Sequence, residues 1–125
     1  GAGGVSNATS GGGVMDYSKL SDQEINILVG GIEGFANKIA AQNGMRDYCN
    51  NPADAWTIIL NNRISIMIDD TTNDWSSAAV QDYCDPGAYK HSNCHKNPLR
   101  AAMITFLLMQ ESANVQANPA RPDIR

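Results

Sequence analysis

The stretch that decides the fold runs from Asn51 to Asp70, NPADAWTIILNNRISIMIDD, the densest block of large apolar residues in the chain. Asn51-Pro52 is a helix start: the Asn side chain can accept from an orphan amide of the first turn, and Pro fixes φ where no amide is needed. Asp54 falls in the first turn, where the helix dipole favours a carboxylate. Trp56, Ile59, Leu60, Ile64, Met67 and Ile68 recur at three- and four-residue spacing, which places them on one helix face. Ile58 and Ile66 lie off that face, so the helix needs cover on more than one side and is expected at the centre of the fold, with Ile64 buried. Residues 64–68 are rich in β-branched side chains and support a strand as the competing reading. The helix is preferred because its start signal is explicit and its pattern outruns an ordinary strand.

Upstream, Ser21 followed three residues later by Glu24 is a capping box. Ile25, Leu28, Val29, Ile32, Phe35, Ala36 and Ile39 continue as an apolar stripe to Asn43-Gly44, a left-handed stop, which predicts one long helix. Gly30, Gly31 and Gly34 interrupt it. Each costs about 1 kcal/mol relative to Ala in a helix interior, so a close backbone approach is expected at Gly30 and Gly34, within the chain or at a seam between copies. Downstream, the polar residues 69–74 (DDTTND) read as a solvated turn and lack the spacing of an EF-hand loop. Trp75 to Tyr83 reads as a short third helix, with Trp75, Ala78, Ala79 and Tyr83 on one side. Asn97-Pro98 repeats the helix-start signal, and Leu99, Ala102, Met103, Phe106, Leu107 and Met109 predict a deeply packed last helix whose pattern fails from Asn114.

The expected architecture is therefore all-α, a bundle of three long helices and one short one over residues 15–113. Two arms flank it. Residues 1–14 are Gly/Ser-rich and residues 114–125 contain two prolines, and neither has the apolar content to fold alone. At 125 residues the chain is long enough to bury a core without metals or a disulfide scaffold.

A net charge of −4, a pI near 4.9 and no Lys/Arg cluster argue against nucleic acid, and no apolar run approaches the roughly 20 residues of a membrane-spanning helix. Cys49, Cys84 and Cys94 allow one disulfide, best placed as Cys84 with Cys94 to staple the loop at 85–96; Cys49 with Cys84, or three thiols, are the alternatives. Gly1 in place of Met is what removal of a leader or a tag leaves, and together with a disulfide it implies an extracytoplasmic location. Asn7-Ala8-Thr9 fits the glycosylation pattern.

No catalytic triad, phosphate loop or nucleotide-binding glycine pattern is present. The reading that follows is a non-enzymatic structural or interaction protein, a subunit of an assembly or a small inhibitor or immunity-type binder. Its protein partner, or a second copy, would be held through the arms by Val5, Val14, Val115 and Ile124, with no cofactor. The alternative is a transition-metal or haem site formed by His91, Cys94 and His95 in the loop at 85–96.

Overall fold

The computed structural model describes residues 15–68, 71–78 and 91–117, side chains excepted at 76–78 and 115–117. Asn7, Val5, Val14, Cys84, Ile124 and the expected helix beyond Ala78 lie outside the described residues.

The chain is mostly helical, as expected, but it is not all-α. Four α-helices, α1 (Asp22–Glu33), α2 (Phe35–Gln42), α3 (Pro52–Asn61) and α4 (Pro98–Ala117), are joined by strands β1 (Ser65–Ile68), β2 (Trp75–Ala78) and β3 (Ser92–His95). The strands form one antiparallel sheet in the order β1-β2-β3, with Ile68 opposite Trp75 and Trp75 opposite His95. A short 3-10 turn, Tyr17–Lys19, precedes α1.

The central element is α4 rather than residues 51–70. Every residue from Arg100 to Leu107 is buried, and α4 touches α1, α3 and all three strands. Around it the core takes Ile25 and Val29 from α1, Ala55, Ile58 and Ile59 from α3, and Tyr17, Tyr48, Cys49 and Ile64 from the connections.

The deciding stretch divides in two. Asn51 caps α3 through its side chain, Pro52 opens the helix and Asp54 sits in the first turn, as the sequence requires. The helix then stops at Asn61, because Arg63 adopts φ +54° and the Ile64 amide reaches back to the Ile59 carbonyl at 3.1 Å. That five-residue reach is the Schellman closure, whose apolar residue just past the left-handed position packs back against the helix. Ile64 is accordingly buried, 6% exposed, while belonging to no helix. The strand reading holds for residues 65–68. The buried face of α3 is also turned about a quarter turn from the expected one: Ala55, Ile58 and Ile59 are inside, and Trp56 (57% exposed) and Leu60 are outside. The small Ala55 lets α3 approach α4, and volume at the contact outweighs side-chain hydrophobicity in choosing the face.

The expected single helix over 21–43 is a hairpin. The capping box forms as read, Ser21 Oγ accepting from the Glu24 amide and Glu24 Oε1 from the Ser21 amide. Gly34, at φ +146°, reverses the chain in one residue, a conformation open to glycine alone. Gly30 explains itself here: a Cβ on it would stand 2.7 Å from the Asn37 carbonyl oxygen and 3.1 Å from the Lys38 Cα. A close approach at Gly30 is thus met within the chain, α2 lying back on α1, and Gly30 and Gly34 both serve the hairpin. At the open end Gln23 Nε2 donates to the Gln42 carbonyl, and Gly44 (φ +79°) closes α2 as Asn43-Gly44 implied.

The expected third helix is strand β2 over Trp75–Ala78, and part of the long loop is strand β3. β2 pairs on both sides, so partners outside the segment override its weak local helix pattern. The turn before it is a hairpin turn, with Asn73 at φ +64° and Thr72 Oγ1 accepting from the Asp74 amide. The last helix begins at Asn97-Pro98 as read, with Asn97 Oδ1 capping the Leu99 and Arg100 amides, and continues to Ala117 past Asn114.

The glycines separate packing from propensity. Gly30→Ala should lower unfolding free energy by roughly 1–3 kcal/mol, because the overpacking against Asn37 exceeds the gain in helix propensity. Gly31→Ala, whose Cβ would meet only the Lys38 Cδ at 3.8 Å, should raise it by up to about 1 kcal/mol. Urea unfolding of both variants tests this; a stabilised Gly30→Ala would remove the close crossing.

Candidate functional site

The loop that precedes the deciding stretch joins α1 and the start of α4 in one seam of polar contacts. Arg100 is the only charge between Leu99 and Gln110, and it sits on the buried helix at 7% exposure. A guanidinium that far from water needs partners for its donors. Arg100 Nη1 donates to Asp22 Oδ1 at 2.7 Å, and Nη2 donates to the carbonyls of Leu20 (2.8 Å) and Ser18 (3.2 Å). Its Nε is buried without a partner.

From Asp22 the seam runs along the loop at 44–51. Asn50 Nδ2 lies 3.1 Å from Asp22 Oδ2 and 3.1 Å from Asp47 Oδ1, so two carboxylates converge on one amide nitrogen. Asn26, buried on α1 at 6% exposure, donates to Asp47 Oδ1 at 2.9 Å and accepts from the Cys49 amide at 3.0 Å. Asn97 Nδ2 donates to the Cys49 carbonyl and to Asn50 Oδ1, which ties the cap of α4 to the same loop. At the far end Arg46 pairs with Asp54 (3.3 Å) and donates from Nε to Asn37 Oδ1, while Asp54 Oδ2 accepts from the Asp47 amide.

Between α1 and this loop lies a pocket of about 260 Å³ whose polar lining is Asp22, Gln23, Asn26, Arg46, Asp47 and Asn50. That is just below the roughly 300 Å³ at which pockets for whole small molecules begin, and suits a single side chain or a fragment. Burial opposes ionisation of Asp22, but hydrogen bonds from Arg100 and Asn50 and the Arg100 charge outweigh it and hold the carboxyl below its ordinary range. Burial, reinforced by the Asp22 charge, pushes the Cys49 thiol up to about 12, so it stays protonated at neutral pH and is a packed hydrophobe rather than a nucleophile. Its Sγ faces the Asp22 carbonyl at 3.8 Å.

The residues singled out from sequence as ligands are not gathered. Cys94 and His95 are successive residues of β3, so they point to opposite faces: Cys94 is exposed, 3.9 Å from Thr72 Oγ1, and His95 is half-buried with Nδ1 accepting from the Asn97 amide. His91 precedes the strand, and among the described residues no three ligating side chains are placed to hold a metal. The expected partner of Cys94, Cys84, lies outside the described residues. No helix among the described residues is long and apolar enough to cross a membrane. Val115 lies within α4.

The seam was missed because its loop reads as a short linker. One signal was present: a lone Arg inside an apolar helical run demands a buried acceptor set. Its acceptors, at Ser18, Leu20 and Asp22, carry no mark of their own.

Removing Arg100 should cost about 2–4 kcal/mol, since Arg100→Met leaves the Asp22 carboxylate and the partly buried Ser18 and Leu20 carbonyls without their donor. The pH dependence has a fixed sign. The Asp22 carboxyl titrates lower folded than unfolded, so its stabilisation is fully present above about pH 4 and is lost as pH falls through the folded value. Urea unfolding of Asp22→Asn should therefore fall below the parent at neutral pH and converge with it in acid; a pH-independent gap would contradict the pair.

The family described as Bacteriophage P22, NinX matches residues 16–110, roughly three quarters of the chain. The chain belongs to that family. Neither the comparison with curated proteins nor that with solved structures gives a match.

Proposed function

We propose that this member of the family is a non-enzymatic protein-interaction subunit that binds its partner through the outer side of the α1–α2 hairpin. The observation that carries the reading is a set of large apolar side chains left in water: Leu28, Ile32, Phe35 and Ile39 are exposed, Phe35 at 76%. They recur at helical spacing on the two helices, whereas Ile25, Val29 and Ala41 of the same hairpin are buried. Single exposed apolar residues are ordinary on a protein surface, but a series recurring along two paired helices is what a contact surface requires. The polar seam supports a structural role, because Asp22 is paired with Arg100, Asp54 with Arg46, and its thiol is inert.

The reading keeps the class expected from sequence and moves the contact from the arms to the hairpin. A subunit of an assembly and a small inhibitor or immunity-type binder both fit a rigid hairpin presenting an aromatic anchor.

A photo-crosslinking residue placed at Phe35, in cells producing the chain, should give one discrete adduct. The adduct should vanish when Ile32→Ser is added, with the thermal transition shifted little, since surface substitutions cost about 0.5 kcal/mol or less. The same crosslinker at Lys96, an exposed site away from the hairpin, should give none. Identical adducts from both sites, or an adduct indifferent to Ile32→Ser, would overturn the proposal.

A further inference from the structure

We infer that the pocket between α1 and the loop at 44–51 receives the guanidinium of an arginine carried by the protein partner. This rests on the interaction reading above and adds the chemistry of one contact. The argument begins with which charges around the pocket are already balanced. Asp22 is paired with Arg100, and Arg46 is paired with Asp54. Asp47 has no cationic partner among the described residues: its oxygens accept from the neutral amides of Asn26 and Asn50. One net negative charge is therefore left facing a cavity of about 260 Å³.

The geometry selects the shape of the cation. Asp22 Oδ2 and Asp47 Oδ1 each lie 3.1 Å from the single nitrogen Asn50 Nδ2, so two carboxylates share one wall of the pocket. Like charges held this close repel, and only one of them has its own counter-ion. A carboxylate offers about four acceptor positions, and neither Asp22 nor Asp47 has filled all of its own. A planar guanidinium presents five donors in a fixed fork and can reach two carboxylates at once, where an ammonium acts as a point charge. Asn50 and Gln23 are exposed at the mouth, so an incoming side chain has access. Ala41 and Gly44 complete the lining and leave room for the methylene stem of an arginine. The acidic balance of the whole chain adds long-range attraction for a basic partner.

The full chain, labelled with nitrogen-15, is titrated with N-acetyl-arginine amide and with its neutral isostere N-acetyl-citrulline amide. Arginine should shift the amide resonances of Asn26, Asp47 and Asn50 with saturation in the millimolar range, and citrulline should bind at least ten-fold more weakly. N-acetyl-lysine amide should fall between them. Asp47→Asn should remove the preference for arginine over citrulline. Gln23→Lys, at an exposed helix position and with an ammonium that can still donate to the Gln42 carbonyl, places an amine of the chain's own at the pocket and should weaken arginine binding at least ten-fold. Ile32→Ser should leave arginine binding unchanged, so that failure of the hairpin contact and failure of the pocket are read separately. Equal binding of arginine and citrulline, arginine binding that survives Gln23→Lys, or lysine binding as tightly as arginine would overturn the inference.

Discussion

One buried cation organises this structure. Arg100 sits on a helix whose next seven residues are all shielded from water, and an unpaired guanidinium there would cost several kcal/mol. It is tolerable because the chain brings back three acceptors from about 80 residues earlier, at Ser18, Leu20 and Asp22. Those acceptors fix where α1 begins, since Asp22 is its first residue and Ser21 its cap. Tyr17 adds a second tie between the same elements: its hydroxyl donates to Glu111 Oε2 at 3.1 Å, and burial followed by the Glu111 charge pushes its phenol up to about 12. The start of the described chain is thus clamped along α4 at two places, Arg100 and Glu111, about three turns apart.

What the sequence made legible follows from how local each signal is. The Ser21 capping box, the Asn51-Pro52 and Asn97-Pro98 starts and the Asn43-Gly44 stop involve groups within a few residues, and all four form as read. The stops without glycine were illegible. Arg63 takes the left-handed conformation with nothing in its side chain to announce it, and Ile64 keeps the helical period running past the stop because the Schellman closure needs an apolar residue there. The sheet was illegible for a different reason. Trp75–Ala78 holds two serines and no β-branched residue, and its strand character comes from partners on either side. The candidate pocket was invisible because Asp22, Asn26, Asp47 and Asn50 share no spacing; they meet only once the loop after α2 folds back over α1.

The hairpin shows how a fold can leave an apolar surface uncovered without losing stability. α1 and α2 come closest at Gly30, where a Cβ would strike the backbone of Asn37 and Lys38. The core side of α1 is served by Ile25 and Val29, which pack with Phe106 and Met103 in one cluster. Leu28, Ile32, Phe35 and Ile39 stand outside that cluster, with Phe35 the most exposed of them. Apolar side chains outside the core and exposed on the hairpin are open to an external contact, and that exposure is the physical basis of the interaction reading.

The seam and the hairpin divide the labour. Loop 44–51 would be expected to move, since connections on a surface carry few apolar contacts. Here it is anchored at both ends and in the middle: Gly44 closes α2, Asn51 caps α3, and Asn26 and Asn97 hold Cys49 from two different helices. A loop fixed in this way presents its side chains in one arrangement. For a partner that docks on the adjoining helices, such a pre-ordered wall of acceptors lowers the ordering entropy of association, and the polar contact then contributes orientation while the apolar face contributes affinity.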